Sequence, residues 1–301
     1  MGAARTIPAA PASARTSRAM LYLALTKPDV SFLVVMTTLA GFYLGSRGTV
    51  DWLKMAQTVL GTTLVAAGTS ALNHYVERVS DAFMRRTATR PLPSGQLRPL
   101  EAALFGATLV VAGTAYLAFT AGVLAGLLGL FTCATYLGIY TPLKKRTTLA
   151  TAIGAIPGAM PPLIGWVAAG GSLNGAAWIL FAIMCLWQFP HFFAIAWMYR
   201  EDYSRAGIKM LPTVDPTGRA TFRQIIGAAL ILLPVSALPV FMGFAGVRYF
   251  FGAVVLNLLL IQLCLWASAN RTNVRAKWLM HATVLHLPIL LGLMMYDKLP
   301  R

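Results

Sequence analysis

Long runs without Asp, Glu, Lys or Arg restrict the fold of this sequence more than any other feature. Seven such runs occur, at positions 30–46, 55–76, 102–143, 147–199, 224–247, 249–270 and 278–296. About 20 apolar residues are enough to cross the hydrocarbon core of a bilayer as an α-helix. The composition agrees, because 57% of the 301 residues are hydrophobic and only 11% are charged. We therefore expect an all-α integral membrane protein.

Two of these runs are too long for a single crossing. Positions 102–143 and 147–199 hold 42 and 53 residues, so each is predicted to form a helical hairpin. The turns are expected near 120–122 and 170–175, where glycine and other turn-forming residues occur. With one helix from each of the other five runs, the sequence predicts nine transmembrane helices in a single domain, residues 21–301.

Lysine and arginine are distributed unequally between the two sides of this predicted bundle. An odd number of helices places the chain ends on opposite sides, and 20 of the 25 basic residues fall on the side of the N-terminus. By the positive-inside rule, that side is cytoplasmic. The same rule accounts for the net charge of +16, so no nucleic-acid partner is expected. Residues 1–20, rich in Ala, Pro, Ser and Arg, are predicted to be a disordered cytoplasmic tail.

An amide and two carboxylates recur every four residues at the end of the second predicted helix, at Asn73, Glu77 and Asp81. On a helix, this spacing places them within an arc of roughly 80° on one face. Such oxygen ligands suit Mg²⁺, which commonly shares its coordination sphere with substrate phosphates, and Arg86 and Arg90 can bond the same phosphates. The spacing thus favours a magnesium and diphosphate site. The alternative is a helix end at the membrane surface whose carboxylates only pair with neighbouring arginines.

Other polar groups are predicted to lie on the same side of the membrane. Lys144 follows the fourth helix, where it could clamp a diphosphate or only anchor the helix end. Arg200, Glu201 and Asp202 follow the sixth helix, and we expect them to face the first site across one cavity mouth as diphosphate ligands, with Asp202 also binding metal. His191 lies inside that helix, beside a proline. An ionisable residue there is a functional candidate, although a carbonyl freed by the proline could also satisfy it.

Five sequence blocks, taken in order, resemble one enzyme family. They are Asn73-xxx-Glu77-xxx-Asp81 with Arg86 and Arg90, Tyr140-Thr141-x-Leu143-Lys144, Gly158-Ala159-x-Pro161-Pro162, Trp187-Gln188-x-Pro190-His191, and Glu201-Asp202-Tyr203-xx-Ala206-Gly207. The blocks are similar to those of the protohaem IX farnesyltransferases, or haem O synthases. This family is a branch of the UbiA-type intramembrane prenyltransferases, and the resemblance extends over roughly residues 25–295.

The resemblance implies nine helices around a central cavity in a bacterial inner membrane, with the active site facing the cytoplasm. The implied reaction transfers farnesyl from farnesyl diphosphate to a vinyl group of haem b, giving haem O. A downstream haem-modifying enzyme is an implied partner, and Mg²⁺ is the implied cofactor. Carried over by position, Asn73, Glu77 and Asp81 match the metal-binding motif, Arg86 and Arg90 its basic continuation, and Lys144 the basic loop. A separate hypothesis is that His191 or a tyrosine places the proton acceptor when water ends the reaction. The second motif departs from the wider superfamily, because Tyr199 and Tyr203 stand where two aspartates are usual.

Two rival functions are compatible with parts of this sequence. The prenyl acceptor could instead be an aromatic quinone precursor. A transporter would need charges at mid-membrane, whereas no Asp or Glu lies inside a predicted span.

Cysteines 133, 185 and 264 have no metal-binding spacing and are interpreted as packing residues. His281 and His286 are five residues apart, which places them about 140° apart on a helix and argues against a paired haem-ligand role.

Overall fold

A computed structural model describes residues 17–300, which fold into fourteen α-helices and one π-helical segment. The elements are α1 (Arg18–Leu25), α2 (Pro28–Gly45), α3 (Trp52–Asp81), α4 (Pro99–Thr120), α5 (Val123–Ala134), the π-helix (Thr135–Tyr140), α6 (Thr141–Leu143), α7 (Ala150–Gly158), α8 (Met160–Ala168), α9 (Gly175–Met198), α10 (Arg200–Arg205), α11 (Leu211–Val214), α12 (Arg219–Phe241), α13 (Val247–Ala269) and α14 (Asn273–Tyr296). Between residues 17 and 300, extended pairing is limited to one bridge between Ala245 and Lys298.

Eight helical spans in the described part of the chain are long and apolar enough to cross a membrane. They are Pro28–Gly45, Pro99–Thr120, Val123–Leu143, Ala150–Ala168, Gly175–Met198, Arg219–Phe241, Val247–Ala269 and Asn273–Tyr296. The predicted all-α membrane fold is thereby confirmed. The helix that would make nine is α3, whose 30 residues extend about 45 Å. It contains four threonines and ends in a charged segment, and it is not among the eight, so the count of nine and the orientation of the N-terminus stay predictions.

Both predicted hairpins are present. The first turns between α4 and α5 at Gly122, whose φ of 109° lies in a region that favours glycine. The second turns between α8 and α9 across residues 169–174, and Gly170 has a φ of 89°. Both turns lie at or next to the predicted positions, because glycine at the end of a long apolar run marks where a buried helix stops.

The helix that follows the first hairpin is broken into α7 and α8 after Gly158. Because Pro157 has no backbone N–H, the hydrogen-bond ladder is interrupted here. Gln188 on α9 contacts this break, since its Nε2 donates at 3.0 Å to the carbonyl of Ala155, which also accepts from the N–H of Ala159. A side chain at Gly158 would collide with Gln188.

A second close contact involves α8. Gly41 of α2 packs directly against the backbone of α8, as small residues permit between membrane helices.

The two ends of the described chain lie at opposite ends of α2. At the N-terminal end, α1 begins at Arg18, inside the segment predicted to be disordered; residues 1–16 of that segment lie outside the described residues. At the C-terminal end, Lys298 Nζ donates to the carbonyls of Tyr43 and Ser46 at 2.6 and 2.7 Å. These carbonyls lack partners within α2, so Lys298 ties the last membrane helix to the first.

Candidate active site

The last turns of α3 carry Asn73, Glu77 and Asp81, called the stripe below, on the inner side of the bundle. Asn73 and Asp81 are each only 1% exposed, and Asn73 Nδ2 donates to Glu77 Oε2 at 3.0 Å, one helical turn away. This contact confirms that residues four apart share one face of the helix. Polar side chains buried at the end of an apolar helix must find partners, because an unpaired buried charge is costly.

Each member of the stripe accepts a hydrogen bond from a basic side chain outside α3. The pairs are Lys27 Nζ to Asn73 Oδ1 at 2.9 Å, Lys144 Nζ to Glu77 Oε1 at 3.0 Å, and Arg90 Nη1 to Asp81 Oδ2 at 2.8 Å. The side chains of Lys144 and Glu77 are only 11% and 13% exposed. Two carboxylates and three basic groups therefore share one largely buried site. This excess of positive charge favours an anionic ligand.

Aromatic rings surround Lys144. Its Nζ lies 4.4 Å from the ring centre of Tyr140 and 5.8 Å from that of Tyr136, both within the π-helix. Such segments contain one more residue per hydrogen-bonded turn and are frequent at functional sites. Burial alone would lower the pKa of Lys144, but the neighbouring Tyr140, Tyr136 and Glu77 hold that pKa well above its ordinary value. Gly154 makes room for this arrangement, because a Cβ there would lie 2.6 Å from the Tyr140 ring.

Lys27 is a member of this site that sequence reasoning counted only as a topology signal. It stands between α1 and α2, and its ammonium group interacts electrostatically with Arg90, Glu77, Lys144 and Asp81. Burial lowers the pKa of Lys27 to about 7, and the positive charges of Arg90 and Lys144 act in the same direction. The sequence feature that could have identified Lys27 as a site residue is its position immediately before the proline that begins a membrane helix.

The polar segment after α9, residues 199–212, is called the second island below. It meets the site on α3 through the backbone around Lys144, since the N–H of Lys209 donates to the Lys144 carbonyl at 2.6 Å. The Asp202 carboxylate accepts from the backbone N–H of Arg86 at 3.3 Å and forms an ion pair with Arg205. Asp202 thus holds the loop that follows α3, and the structure does not bring it to the stripe as a metal ligand. A cavity of about 460 Å³ opens beside it.

The other predicted residues of this island divide between two places. The Arg86 guanidinium lies 4.8 Å from the ring centre of Tyr199 and lines the same cavity as Glu201. Arg200 extends instead toward α14, where it donates to Asn273 Oδ1 at 2.6 Å. The structure therefore brings Arg86, Glu201 and Asp202 together, but it pairs Arg200 with the start of another helix.

His191 lies on α9, two turns before the second island. Its Nδ1 is 2.9 Å from the Thr283 hydroxyl, and its ring stacks on Trp187 with centroids 4.9 Å apart. Because the Thr283 hydroxyl donates to the Met280 carbonyl at 2.6 Å, it must accept from His191. In this tautomer the proton is on Nδ1 and a lone pair is on Nε2.

The two histidines of α14 lie on different faces, as their spacing predicted. His281 is exposed, whereas His286 is buried and its ring nitrogens have no hydrogen-bond partner between residues 17 and 300. His74 on α3 is also buried, and its ring nitrogens likewise lack partners in the described chain. These three residues do not form a ligand set.

The donor atoms of the stripe fit a hard divalent cation. Asp81 Oδ1 is buried and has no hydrogen-bond partner among the described residues, which is unusual for a carboxylate oxygen unless it has a cation to bind. Across residues 17–300, no three His, Cys, Asp or Glu side chains are grouped to hold a metal. An ion would therefore need the Asn73 amide oxygen and substrate oxygens in addition to the carboxylates, as Mg²⁺ sites commonly do.

Comparison with known proteins gives consistent matches over most of the chain. The model of the UbiA prenyltransferase family matches residues 34–285. A protein of Solibacter usitatus (strain Ellin6076) named protoheme IX farnesyltransferase is 46% identical over an alignment of 286 residues, and the match covers 92% of this chain and 98% of the relative.

Solved structures with low sequence identity share the fold. A structure reported for digeranylgeranylglyceryl phosphate synthase has a TM-score of 0.76 at 19% identity, and the match covers 93% of this chain and 98% of the other. A UbiA homologue from Archaeoglobus fulgidus bound to DMAPP and Mg²⁺ has a TM-score of 0.61 at 17% identity, with 91% and 98% covered. The arrangement of helices described above is therefore shared with these proteins.

Proposed function

The chain belongs to the UbiA prenyltransferase family, and we propose that it transfers a farnesyl group from farnesyl diphosphate to a vinyl group of haem b, giving haem O. The observation that carries this proposal is the buried pairing of an amide and carboxylate stripe with three basic groups at one end of an apolar bundle. A diphosphate with a long hydrocarbon tail needs both the charged site and the apolar bundle. The diphosphate end binds among the basic groups, and the hydrocarbon tail remains in apolar surroundings.

Asn73, Glu77 and Asp81 would hold Mg²⁺, for which the unpartnered Asp81 Oδ1 is the supporting observation. When bound, the ion neutralises charge on the diphosphate leaving group. Lys144 and Arg90 lie beside the stripe and supply charge-assisted hydrogen bonds to the same leaving group. Arg86 lines the cavity beside Asp202 together with Glu201, and its guanidinium would bind the diphosphate there.

The aromatic and histidine side chains support the remaining steps. The rings of Tyr136 and Tyr140 stand beside Lys144, where their faces stabilise an allylic cation and exclude water from it. When His191 donates its Nδ1–H to the Thr283 hydroxyl, its Nε2 is unprotonated. It is therefore suited to accept a proton when the reaction ends with addition of water. His191→Ala should lower turnover, and unchanged turnover would remove this role.

The protein is an integral membrane protein, and we place it in the bacterial inner membrane. The excess of lysine and arginine on one side supports an active site facing the cytoplasm. The product remains an apolar molecule within the bilayer, which suits its transfer to a downstream haem-modifying enzyme.

Purified protein in detergent, incubated with haem b, farnesyl diphosphate and Mg²⁺, tests the proposal by mass analysis of the porphyrin. A product heavier than haem b by one farnesyl group and one hydroxyl group is expected. Glu77→Gln and Asp81→Asn should abolish it, and removal of Mg²⁺ with a chelator should do the same. An aromatic acid offered as a second acceptor provides the control. Prenylation of that acid in preference to haem b would instead favour a quinone-precursor prenyltransferase.

A further inference from the structure

The connection between α1 and α2 is strained where Lys27 stands. With φ of 49° and ψ of 69°, Lys27 is the one non-glycine residue between positions 17 and 300 with positive φ. Glycine is the usual residue at such a position after a helix, and the residue before a proline normally prefers an extended backbone. A lysine in this place needs a reason that lies in its side chain, because strained backbones tend to persist at functional sites.

The Lys27 side chain reaches the centre of the candidate active site. Its Nζ donates to Asn73 Oδ1 at 2.9 Å, and the charges of Glu77, Asp81 and Arg90 act on it. Glu77 and Asp81 already have cationic partners of their own. Lys27 is therefore a third basic group beside two carboxylates, and among residues 17–300 its hydrogen-bond partner is a neutral amide.

This inference rests on the proposed function. We propose that Lys27 is a diphosphate-binding residue, which exchanges its hydrogen bond to Asn73 for one to a phosphate oxygen of farnesyl diphosphate. When the bond between the allylic carbon and oxygen breaks, the electron pair stays on the departing diphosphate. The Lys27 ammonium group donates to this anion as its charge increases. The exchange also frees Asn73 Oδ1 to act as a metal ligand.

Binding of inorganic diphosphate in the presence of Mg²⁺, measured by calorimetry on the full chain in detergent, tests the proposal together with the thermal unfolding midpoint. Lys27→Met should raise the Kd about 10-fold to 100-fold, because a charge-assisted hydrogen bond is lost. Lys27→Gly should weaken binding equally, while its unfolding midpoint stays the same or rises, since glycine tolerates positive φ. Lys277→Ala, which removes an exposed lysine of α14, is the matched control and should bind as the wild type does.

The outcomes separate this inference from the proposed function. Wild-type binding in Lys27→Met would overturn the role of Lys27 and leave the farnesyl transfer proposal standing. A lower unfolding midpoint in both variants with an unchanged Kd would show that Lys27 only supports Asn73, and it would also overturn the inference. If neither the wild type nor Lys277→Ala binds diphosphate, both proposals are wrong.

Discussion

Replacing Glu77 by glutamine keeps the shape of the side chain but removes the charge that Lys144 faces at 3.0 Å. Both side chains are almost entirely buried, with 13% and 11% of their surfaces exposed, so water screens the pair only weakly. At this distance, an effective dielectric constant of about 20 gives a Coulomb attraction of about 5 kcal/mol. Loss of one partner from a buried pair costs about 3–5 kcal/mol of folding stability, because the other charge stays behind unpaired.

A second substitution separates this structural cost from the chemistry. Lys144→Met removes the stranded charge, and the double variant Glu77→Gln with Lys144→Met should therefore be more stable than Glu77→Gln alone. It should nevertheless remain inactive, because the proposed metal ligand and the proposed diphosphate-binding charge are both absent. We expect a loss of haem farnesylation of at least about 100-fold in both variants.

Thermal unfolding of the detergent-solubilised variants, followed by tryptophan fluorescence, gives the order of stability, and porphyrin mass analysis gives the activity. Two results would refute the reasoning. If the double variant regained product formation, the pair would have only a structural role. If Glu77→Gln unfolded at the wild-type temperature, the ion pair would contribute nothing to the fold.

Three further substitutions test separate parts of the structure. Gly154→Ala should tilt the Tyr140 ring away from Lys144 and lower kcat about 10-fold or more, whereas Gly138→Ala, which meets nothing within 4 Å, should leave kcat unchanged. Gly41→Ala should lower the stability by about 1–3 kcal/mol, because the new methyl group would collide with the backbone of α8; Gly227→Ala, at an open position, is the control in the same unfolding assay. Burial alone would raise the pKa of the Asp215 carboxyl, but hydrogen bonds from Thr221 and Thr217 hold that pKa below its ordinary value. Its contribution to stability should therefore be present at neutral pH and be lost as the pH falls through that lowered pKa, and Asp215→Asn should remove this part of the pH dependence.

Features that depend on nearby residues could be predicted from the sequence. The stripe on α3 follows from a spacing of four within one helix, and the hydrogen bond between Asn73 and Glu77 confirms it. The two hairpins follow from run length and from glycines at the turns. In each case, the residues that determine the feature are close together in the chain, so the geometry of a single helix or turn is sufficient.

The partners of the stripe could not be predicted in the same way. Lys27 is 46 residues from Asn73, and Lys144 is 67 residues from Glu77, so only the packing of several helices determines which ammonium group meets which oxygen. Asp202 illustrates the opposite case. Its sequence position next to basic residues allowed several roles, and in the folded chain it binds the backbone of Arg86 and the side chain of Arg205. A local pattern does not decide between such competing partners.

The wide turn of the π-helix has a consequence for how this protein can tolerate insertions and deletions. The wide turn accommodates one additional residue, so residues before it in α5 and residues after it keep the faces that they would have on a regular helix. Deleting a single residue there would restore regular α-helical winding and leave Lys144 on the same side, whereas inserting one more residue would rotate Lys144 by about 100° around the axis. This segment can therefore lose one codon without separating the lysine from its carboxylate, but it cannot gain one.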